Sequence, residues 1–192
     1  LWAPSVLAQL MRLRQINLEP SLLNLSQSSS KTDFLLEFIE DFPEDKKLVV
    51  FSCFESYISH LSSKLNHNHA VITGKVTQED RAKAVKRFQE DDSCKLALGT
   101  VQVMGEGITL TAASDVVLMD RWWNPSVNNQ AIDRLHRIGA KSAVQVIEPI
   151  NEDTIDQSLD KILTRKEKLS STYLNDQDVM REVIEDLRLT RR

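Results

Sequence analysis

The sequence has few of the residues that mark disulfide-stapled, metal-binding or membrane-spanning proteins. Only 2 of its 192 residues are cysteine, Cys53 and Cys94, and they do not form a metal-ligand pair. Both lie beside apolar runs, so we expect them to be buried and reduced, as is usual in intracellular proteins. No apolar run approaches the roughly 20 residues that span a bilayer, and no signal peptide is visible.

The sequence also lacks an excess of positive charge. Lysine and arginine total 24 against 28 aspartate and glutamate residues, which gives a formal net charge of −4. Any nucleic-acid surface must therefore be local, because the overall charge would not attract a polyanion. Hydrophobic residues make up 41% and charged residues 27% of the chain, which is ordinary for a globular protein of one main domain.

Several catalytic signatures are missing as well. The chain has no G-x-x-x-x-G-K-[ST] phosphate loop, no Asp-Glu magnesium motif and no G-x-S-x-G nucleophile elbow. Its 4 histidines have no metal-ligand spacing. The first residue is not methionine, and we therefore expect the chain to be a piece of a longer protein.

What the sequence does contain is an alternation of strand-like and helix-like segments. Five runs rich in valine, isoleucine and leucine predict strands, at 47–52, 70–74, 95–100, 115–120 and 143–150. Several of these runs are continuously apolar, which favours a parallel sheet covered on both faces. The pattern predicts an α/β fold: a doubly wound, mainly parallel sheet with helices on both faces and flanking helices at both ends. Such folds bind ligands at the carboxyl ends of the strands.

The helical segments suggest how the chain is divided. Helices are predicted at "VLAQLMRLRQI", 31–42, 55–65, 77–91, 153–169 and 177–189, and a polar, serine-rich linker at 24–30. Thr77 is the expected N-cap of the fourth of these helices. We predict three parts: a helix with a linker at 1–30, the α/β lobe at 31–169, and a helical extension at 170–192.

The segment "QAIDRLHRIGA" at 130–140 is the first candidate site. A helix over roughly 125–138 would place Gln130, Arg134 and Arg137 on one strip, while the apolar residues between them pack inward. Two guanidinium groups beside an amide suit a phosphate. The alternative is an arginine face that is simply exposed to solvent.

A second candidate follows the third predicted strand. Gly105, Glu106 and Gly107 stand before a predicted helix, and Asp120 ends the next strand, as in a dinucleotide-binding fingerprint where an acid holds the ribose. The match is incomplete, because Leu110 occupies the third glycine position. The segment is either an ordinary turn or a loop whose amides approach a ribose or phosphate.

A third candidate is the pair Gly74-Lys75, which separates the second predicted strand from the helix at 77–91. A helix N-terminus with a lysine nearby can hold a backbone phosphate of a nucleic acid. A plain loop between strand and helix explains the same residues equally well.

Taken in order, these segments resemble the second RecA-like lobe of Swi/Snf-type ATPases, within helicase superfamily two. The resemblance runs from about residue 6 to residue 168. It rests on "KKLVVFSCF" as motif IV, "VITGKVTQEDRAKAVKRFQ" after it, "GTVQVMGEGITLTAAS" as motif V, and "LMDRWWNPSVNNQAIDRLHRIG" as the Trp-Asn-Pro and motif VI signature. The chain departs from the family pattern at Met104, Thr109, Arg121 and Ala140, which suggests a divergent branch.

The resemblance implies roles for individual residues. Arg137 would be the arginine finger that stabilises charge on the γ-phosphate of ATP, with Arg134 assisting it and Gln130 orienting the pair. The residues that would contact the nucleotide from motif V are Gly105, Glu106 and Gly107, and those that would contact the DNA backbone are Ser52, Gly74, Lys75, Arg81 and Thr100. No metal ligand is implied in this chain.

The resemblance also implies the function of the whole protein, an ATP-dependent translocase on double-stranded DNA. ATP and Mg²⁺ would be bound mainly by an N-terminal RecA-like lobe that carries the phosphate loop, so we expect this chain alone to be inactive as a DNA-dependent ATPase. The expected partners are duplex DNA and that lobe, with no membrane, in the cytoplasm or nucleus. Two alternatives remain: a non-catalytic DNA- or protein-binding module, and a dinucleotide-binding enzyme domain.

Overall fold

A parallel sheet forms the centre of the structure, a computed structural model that describes residues 6–104, 107–136, 143–168 and 176–189. Within those ranges the sheet has five strands: β1 (Leu48–Ser52), β2 (His69–Ile72), β3 (Leu96–Thr100), β4 (Asp115–Leu118) and β5 (Gln145–Ile147). Their order is β2-β3-β1-β4-β5, and every pairing is parallel. The predicted α/β, doubly wound class is thereby confirmed.

Helices connect and flank the strands. They are α1 (Val6–Leu18), α2 (Ser30–Glu40), α3 (Glu55–Lys64), α4 (Gln78–Glu90), α5 (Val101–Met104), α6 (Pro125–Ile132), α7 (Ile155–Lys168) and α8 (Asp176–Leu189), with a 3-10 turn at Pro20–Leu23. The predicted cap of α4 is confirmed, because the Thr77 side chain accepts a hydrogen bond from the Asp80 N–H. None of the described helices is long and apolar enough to cross a bilayer.

Two apolar layers cover the faces of the sheet. Alternate residues of β1 point to opposite faces, so Val49 and Phe51 pack in one layer while Leu48 and Val50 pack in the other. The first layer also holds Phe88 of α4, and the second holds Tyr57, Ile58 and Leu61 of α3. Every residue of β1 and β3 is buried, which explains why these strands read as continuous apolar runs.

The two ends of the chain pack together beside the sheet. Leu10 of α1, Trp123, Leu159 and Leu163 of α7, and Val179 and Val183 of α8 form a third buried cluster. The serine-rich segment is also engaged: Ser29 caps α2 by accepting from the Thr32 N–H and donates its hydroxyl to the Leu18 carbonyl at 2.5 Å. The division of the chain at residues 30 and 169 stays a prediction, but α1 and α8 both lie against the lobe.

A buried ion pair fastens α1 to the end of β4. Arg14 is 2% exposed and Asp120 is 6% exposed, and Arg14 Nη2 lies 2.9 Å from Asp120 Oδ2. The Arg14 guanidinium also lies 4.5 Å from the centroid of the Trp123 ring. On its other oxygen, Asp120 accepts from the Ser52 hydroxyl and the Cys53 N–H. The two buried charges are thus paired with each other, and Asp120 accepts further hydrogen bonds. Such partners offset the cost of removing a charged group from water.

The predicted extent of the helix over 125–138 is wrong, because α6 ends at Ile132. The next amides, of Arg134 and Leu135, bond to carbonyls three residues back at 3.2 and 2.9 Å, so the backbone tightens into a turn. The Arg134 carbonyl, which a longer helix would use internally, accepts instead from the Leu110 N–H at 2.9 Å. A tertiary contact therefore replaces the last helical turn.

The helix predicted after Gly107 is also wrong. Residues 108–114 form turns, and the short helix α5 precedes the glycines instead of following them. Leu110 and Ala113 are buried in the core layer under the sheet edge. The Ala113 N–H bonds to the Leu110 carbonyl three residues back, which closes a turn and not a helix.

Replacing Arg14 with leucine is expected to destabilise the fold, because it leaves the Asp120 carboxylate buried without its cation. Breaking one side of a buried pair costs about 3–5 kcal/mol. Urea unfolding should show a lower midpoint with an unchanged slope. Arg12→Leu, two residues away on the same helix, is the control and should stay within about 0.5 kcal/mol of the parent chain. Equal stability of the two variants would contradict the role given to the ion pair.

Alkaline pH is expected to weaken the fold through Cys53. Burial raises the pKa of the Cys53 thiol well above its usual range, the Asp120 charge raises it further, and Arg14 lowers it in part. Burial also raises the pKa of Tyr57. A pKa that is raised in the folded state stabilises the fold at every pH below the pKa of the unfolded state. This contribution is lost as the pH rises from about 8.5, the pKa of an unfolded thiol, towards the raised pKa of the folded protein.

The free energy of unfolding should therefore fall above that pH by at most about 1.4 kcal/mol per pH unit for each such group. Urea titrations at several values between neutral and strongly alkaline pH measure this slope. Cys53→Ala should remove the part of the slope that belongs to the thiol and keep the part that belongs to Tyr57. The same slope in both proteins would show that Cys53 does not contribute.

Candidate nucleotide and nucleic-acid site

The residues predicted to contact DNA gather at one edge of the sheet. All strands are parallel, so their carboxyl ends, where ligands of such folds bind, lie together. Ser52 ends β1 and Thr100 ends β3, and the two residues are direct partners in the sheet register. Gly74 and Lys75 follow β2, the next strand along the same edge. The structure therefore brings these four predicted residues into one region.

Ser52 and Thr100 are nevertheless buried at this edge, with 0% and 5% of their surfaces exposed. The Ser52 hydroxyl donates to Asp120 Oδ1 at 2.5 Å and accepts from the Phe54 N–H at 3.0 Å. In this structure the Ser52 hydroxyl fixes the turn after β1, and its contact with DNA stays a prediction. A phosphate contact through its side chain would require this arrangement to open.

Lys75 and Gly74 lie in the loop before α4. The Lys75 side chain is 75% exposed, and its Nζ lies 3.6 Å from Glu55 Oε1 at the start of α3. A Cβ placed on Gly74 would meet only Val103 Cγ2, at an ordinary contact distance of 3.8 Å. Sterics therefore do not demand glycine at position 74, whereas the extended lysine presents its charge to solvent.

Arg81 faces an open groove between α4 and the segment 107–109. The groove has a volume of about 720 Å³, and its walls include Gln78, Arg81, Lys86, Gln89, Gly107 and Thr109. One Arg81 amino group donates to the Val76 carbonyl at 3.3 Å, which holds the side chain near the start of α4. The groove places a predicted DNA residue and a predicted nucleotide residue on facing walls.

Position 107 requires glycine because of its backbone conformation. Its φ is +70°, in the left-handed region that glycine adopts without strain, and nothing lies within 4 Å of the place where a Cβ would be. The reason for glycine here is therefore the turn itself and not a crowded neighbour. Gly105 and Glu106, the other two predicted motif V residues, lie outside the described residues.

Residues 107–113, which we call the motif V loop, are held from two sides. On one side the Leu110 N–H donates to the Arg134 carbonyl at 2.9 Å. On the other side Gln89 of α4 accepts from the Ala112 N–H at 2.8 Å and donates to the Thr111 hydroxyl at 3.2 Å. Sequence reasoning missed Gln89, because a single glutamine near the end of a helix carries no motif of its own.

The residues predicted to face a phosphate, Gln130, Arg134 and Arg137, lie on α6 or after it in the sequence. Asn124 caps this helix by accepting from the Ser126 N–H at 3.0 Å. The predicted inward face is confirmed for Ala131 and Leu135, which are both fully buried. Gln130 is exposed and Arg134 is half-buried.

The strip of three polar residues is not one continuous helical face, because α6 ends before Arg134. Arg137 lies outside the described residues, as does Ala140. Of these three residues, the structure places Gln130 on the exposed side of α6 and Arg134 in the turn that follows.

Asp120 does not fit the dinucleotide alternative. Its carboxylate is buried, pairs with Arg14 and accepts from Ser52, so it has no exposed oxygen to offer a ribose. The glycines also follow a helix rather than the tip of a strand. The interpretation of Gly105, Gly107 and Asp120 as a dinucleotide fingerprint is therefore wrong.

Two residues beside Asp120 have structural partners. Arg121, which departs from the family pattern, pairs with Asp160 of α7 at 3.0 Å and with Glu148 at 3.5 Å. Trp123 is 1% exposed and packs beneath α1 and α7, in agreement with a packing role. Within the described ranges, no three His, Cys, Asp or Glu side chains come close enough to hold a metal ion.

Comparison with known proteins identifies relatives over most of the chain. The family described as "Helicase conserved C-terminal domain" matches residues 30–139. DNA repair protein RAD5A of Arabidopsis thaliana is 35% identical over 165 residues, which are 84% of this chain and 16% of RAD5A. DNA repair protein RAD5 of Saccharomyces cerevisiae is 31% identical over 178 residues, which are 86% of this chain and 15% of that protein. The chain thus spans less than a fifth of these curated relatives.

Solved structures show the same similarity. The Sulfolobus solfataricus SWI2/SNF2 ATPase core in complex with dsDNA has a TM-score of 0.77 and 30% identity, covering 95% of this chain and 41% of that chain. The C-terminal domain of the Sulfolobus solfataricus SWI2/SNF2 ATPase has a TM-score of 0.74 and 27% identity, covering 95% and 79%. The chain therefore belongs to the helicase conserved C-terminal domain family, as the second RecA-like lobe of a Swi/Snf-type protein of helicase superfamily two.

Proposed function

We propose that this chain is the C-terminal lobe of an ATP-dependent translocase on double-stranded DNA. One observation carries the proposal. The motif V loop is hydrogen-bonded on one side to the turn after α6, which leads to the predicted arginine finger, and on the other side to α4, which carries Arg81. A lobe that links DNA binding to ATP hydrolysis requires such a connection. The relative solved in complex with dsDNA supports duplex DNA as the ligand.

On the nucleotide side, Arg137 is the proposed arginine finger and Arg134 its assistant. A guanidinium group presents a rigid fork of donors that matches phosphate oxygens, and a finger supplied by a second lobe stabilises the charge of the transferring γ-phosphate. Gln130, exposed on α6, would orient the pair, and Gly105 with Glu106 would approach the nucleotide from motif V. ATP and its Mg²⁺ would be held mainly by the lobe that carries the phosphate loop.

On the DNA side, Lys75 and Arg81 are the proposed phosphate contacts. They lie at the loop before α4 and near its start, next to the groove that Gly107 also lines. Contacts to phosphates are independent of base sequence and weaken as salt rises. Ser52 and Thr100 would support this surface from beneath, because both are buried.

Alternating closure of two lobes would produce movement along DNA. ATP binding would close the cleft and bring Arg137 to the γ-phosphate, and hydrolysis would open it again. If both lobes grip one strand in turn, each cycle would shift the protein along the duplex. The names of the curated relatives favour a role in DNA repair, in the nucleus or cytoplasm according to the organism.

A non-catalytic binding module is the second candidate. The departures from the family pattern at Met104, Thr109 and Ala140 favour it, since they fall in and beside the two motifs that would serve ATP turnover. The retained pair of motif VI arginines favours the ATPase instead. The two candidates differ in what happens when the proposed finger is removed.

Arg137→Ala in the full-length protein is expected to lower the turnover number about 10³–10⁵-fold, because charge on the transferring phosphoryl group is no longer stabilised. Steady-state ATP hydrolysis with duplex DNA measures the loss, and DNA affinity should remain unchanged. Arg137→Lys, which keeps the charge but loses the fork, should recover only part of the rate. Unchanged turnover in Arg137→Ala would favour the non-catalytic module.

The chain alone is expected to hydrolyse no ATP, because the proposed mechanism places the phosphate loop on another lobe. Release of inorganic phosphate with Mg²⁺, with and without duplex DNA, is the measurement. DNA-stimulated hydrolysis by this chain would contradict the assignment of ATP binding to a second lobe. The full-length protein under the same conditions is the positive control.

Lys75→Gln is expected to weaken DNA binding equally for unrelated sequences and to reduce the slope of log affinity against log salt by about 1. Fluorescence anisotropy of labelled duplexes over a range of salt concentrations measures both effects. Lys64→Gln is the matched control, because Lys64 ends α3 and therefore lies towards the opposite edge of the sheet. Equal slopes for the two variants would remove Lys75 from the proposed DNA surface.

A further inference from the structure

Gln89 occupies a particular place between α4 and the motif V loop. It lies near the end of α4, half-buried, while Arg81 lies near the start of the same helix. Both residues line the groove that faces Gly107 and Thr109. Gln89 thus joins the helix that carries a proposed DNA contact to the loop by two side-chain hydrogen bonds.

The hydrogen bonds of Gln89 use both ends of its amide. Its carbonyl oxygen accepts from the backbone N–H of Ala112 at 2.8 Å, and its amino group donates to the Thr111 hydroxyl at 3.2 Å. A primary amide accepts through its oxygen and donates through its nitrogen, so one uncharged side chain makes both bonds at once. The paired bonds fix how far the loop lies along α4, which one bond or an apolar contact would not do.

The same loop is fixed to α6 by its preceding residue. Leu110 is fully buried, and its N–H donates to the Arg134 carbonyl at 2.9 Å. Of three consecutive residues, Leu110 therefore bonds to the turn after α6, and Thr111 and Ala112 bond to Gln89 of α4. Because these residues are adjacent in the chain and Leu110 and Ala113 are buried, a displacement of α4 would be passed to the turn that carries Arg134.

We propose that Gln89 is a positioning residue that couples DNA binding on α4 to ATP turnover at the arginines after α6. This rests on the function proposed above. Gln89 contacts neither ligand and acts through the register of the motif V loop. Without it, α4 and the loop still pack through Phe88 and Ala113 of the core layer, but DNA on one side no longer sets the position of the arginines on the other.

Gln89→Leu in the full-length protein tests the coupling, because leucine keeps the approximate volume and removes both hydrogen bonds. Turnover without DNA, the KM for ATP and the Kd for duplex DNA should each stay within about 2-fold of the parent protein. The turnover number at saturating DNA should fall about 5- to 10-fold, the lower range of measured couplings between sites. Gln9→Leu, on the exposed side of α1, is the matched control and should change none of these values.

Gln89→Glu is the rescue variant. A carboxylate accepts from the Ala112 N–H, and the Thr111 hydroxyl can rotate and donate to it, so both links are retained. Most of the DNA stimulation should return. Thr111→Val removes one link only and should give an intermediate loss. It also keeps the test decisive if urea unfolding shows that Gln89→Leu does not fold.

The outcomes separate the two levels of the proposal. If the parent protein shows no DNA-stimulated hydrolysis, the proposed function fails. If the parent is stimulated and Gln89→Leu is stimulated equally, only the coupling role of Gln89 fails. A proportional loss of turnover with and without DNA, or a rise in the Kd for DNA that accounts for the whole effect, would show a merely structural role and would also overturn the inference.

Discussion

The carboxylate of Asp120 joins three separate parts of the chain at the end of β4. It receives the guanidinium of Arg14 from α1, the hydroxyl of Ser52 from β1, and the N–H of Cys53 from the turn that follows. Out of water, this charge is tolerable only while all of these donors stay in place. The position of α1, the turn after β1 and the start of the Trp122-Trp123 segment are therefore set together at the carboxyl ends of the strands.

The motif V loop is the second junction of the lobe. The Leu110 N–H bonds to a carbonyl from the α6 side and the Ala112 N–H to a side chain from the α4 side, while Leu110 and Ala113 are buried in the core. The loop is irregular, yet it is more tightly held than a surface connection of ordinary kind. That constraint connects α4, which carries a proposed DNA contact, to the turn that leads to the proposed arginine finger.

The sequence predicted the strands and the fold class well, but it predicted poorly the places where distant segments contact each other. The difference has a physical cause. Strands β1 and β3 are buried on both faces, so their apolar runs identify them directly, and the Thr77 cap is a local interaction. The end of α6 depends on a bond between Arg134 and Leu110, which no local pattern contains. Ser52 matched a motif, but motif identity does not report burial, and Gln89 had no motif at all. The end of α6, the burial of Ser52 and the bonds of Gln89 all depend on contacts between segments that are distant in sequence.

The serine-rich stretch before α2 has a mechanical consequence. Ser29 bonds to the Leu18 carbonyl while it caps α2, and Ser30 donates to Asn151 beyond β5, so the end of the stretch next to α2 is attached both to α1 and to the segment after β5. A segment that the sequence predicts as a polar linker is therefore held in place by hydrogen bonds to other parts of the chain. If this lobe rotates against another, as the proposed function requires, α1 would turn with it, and the pivot would not lie between α1 and α2.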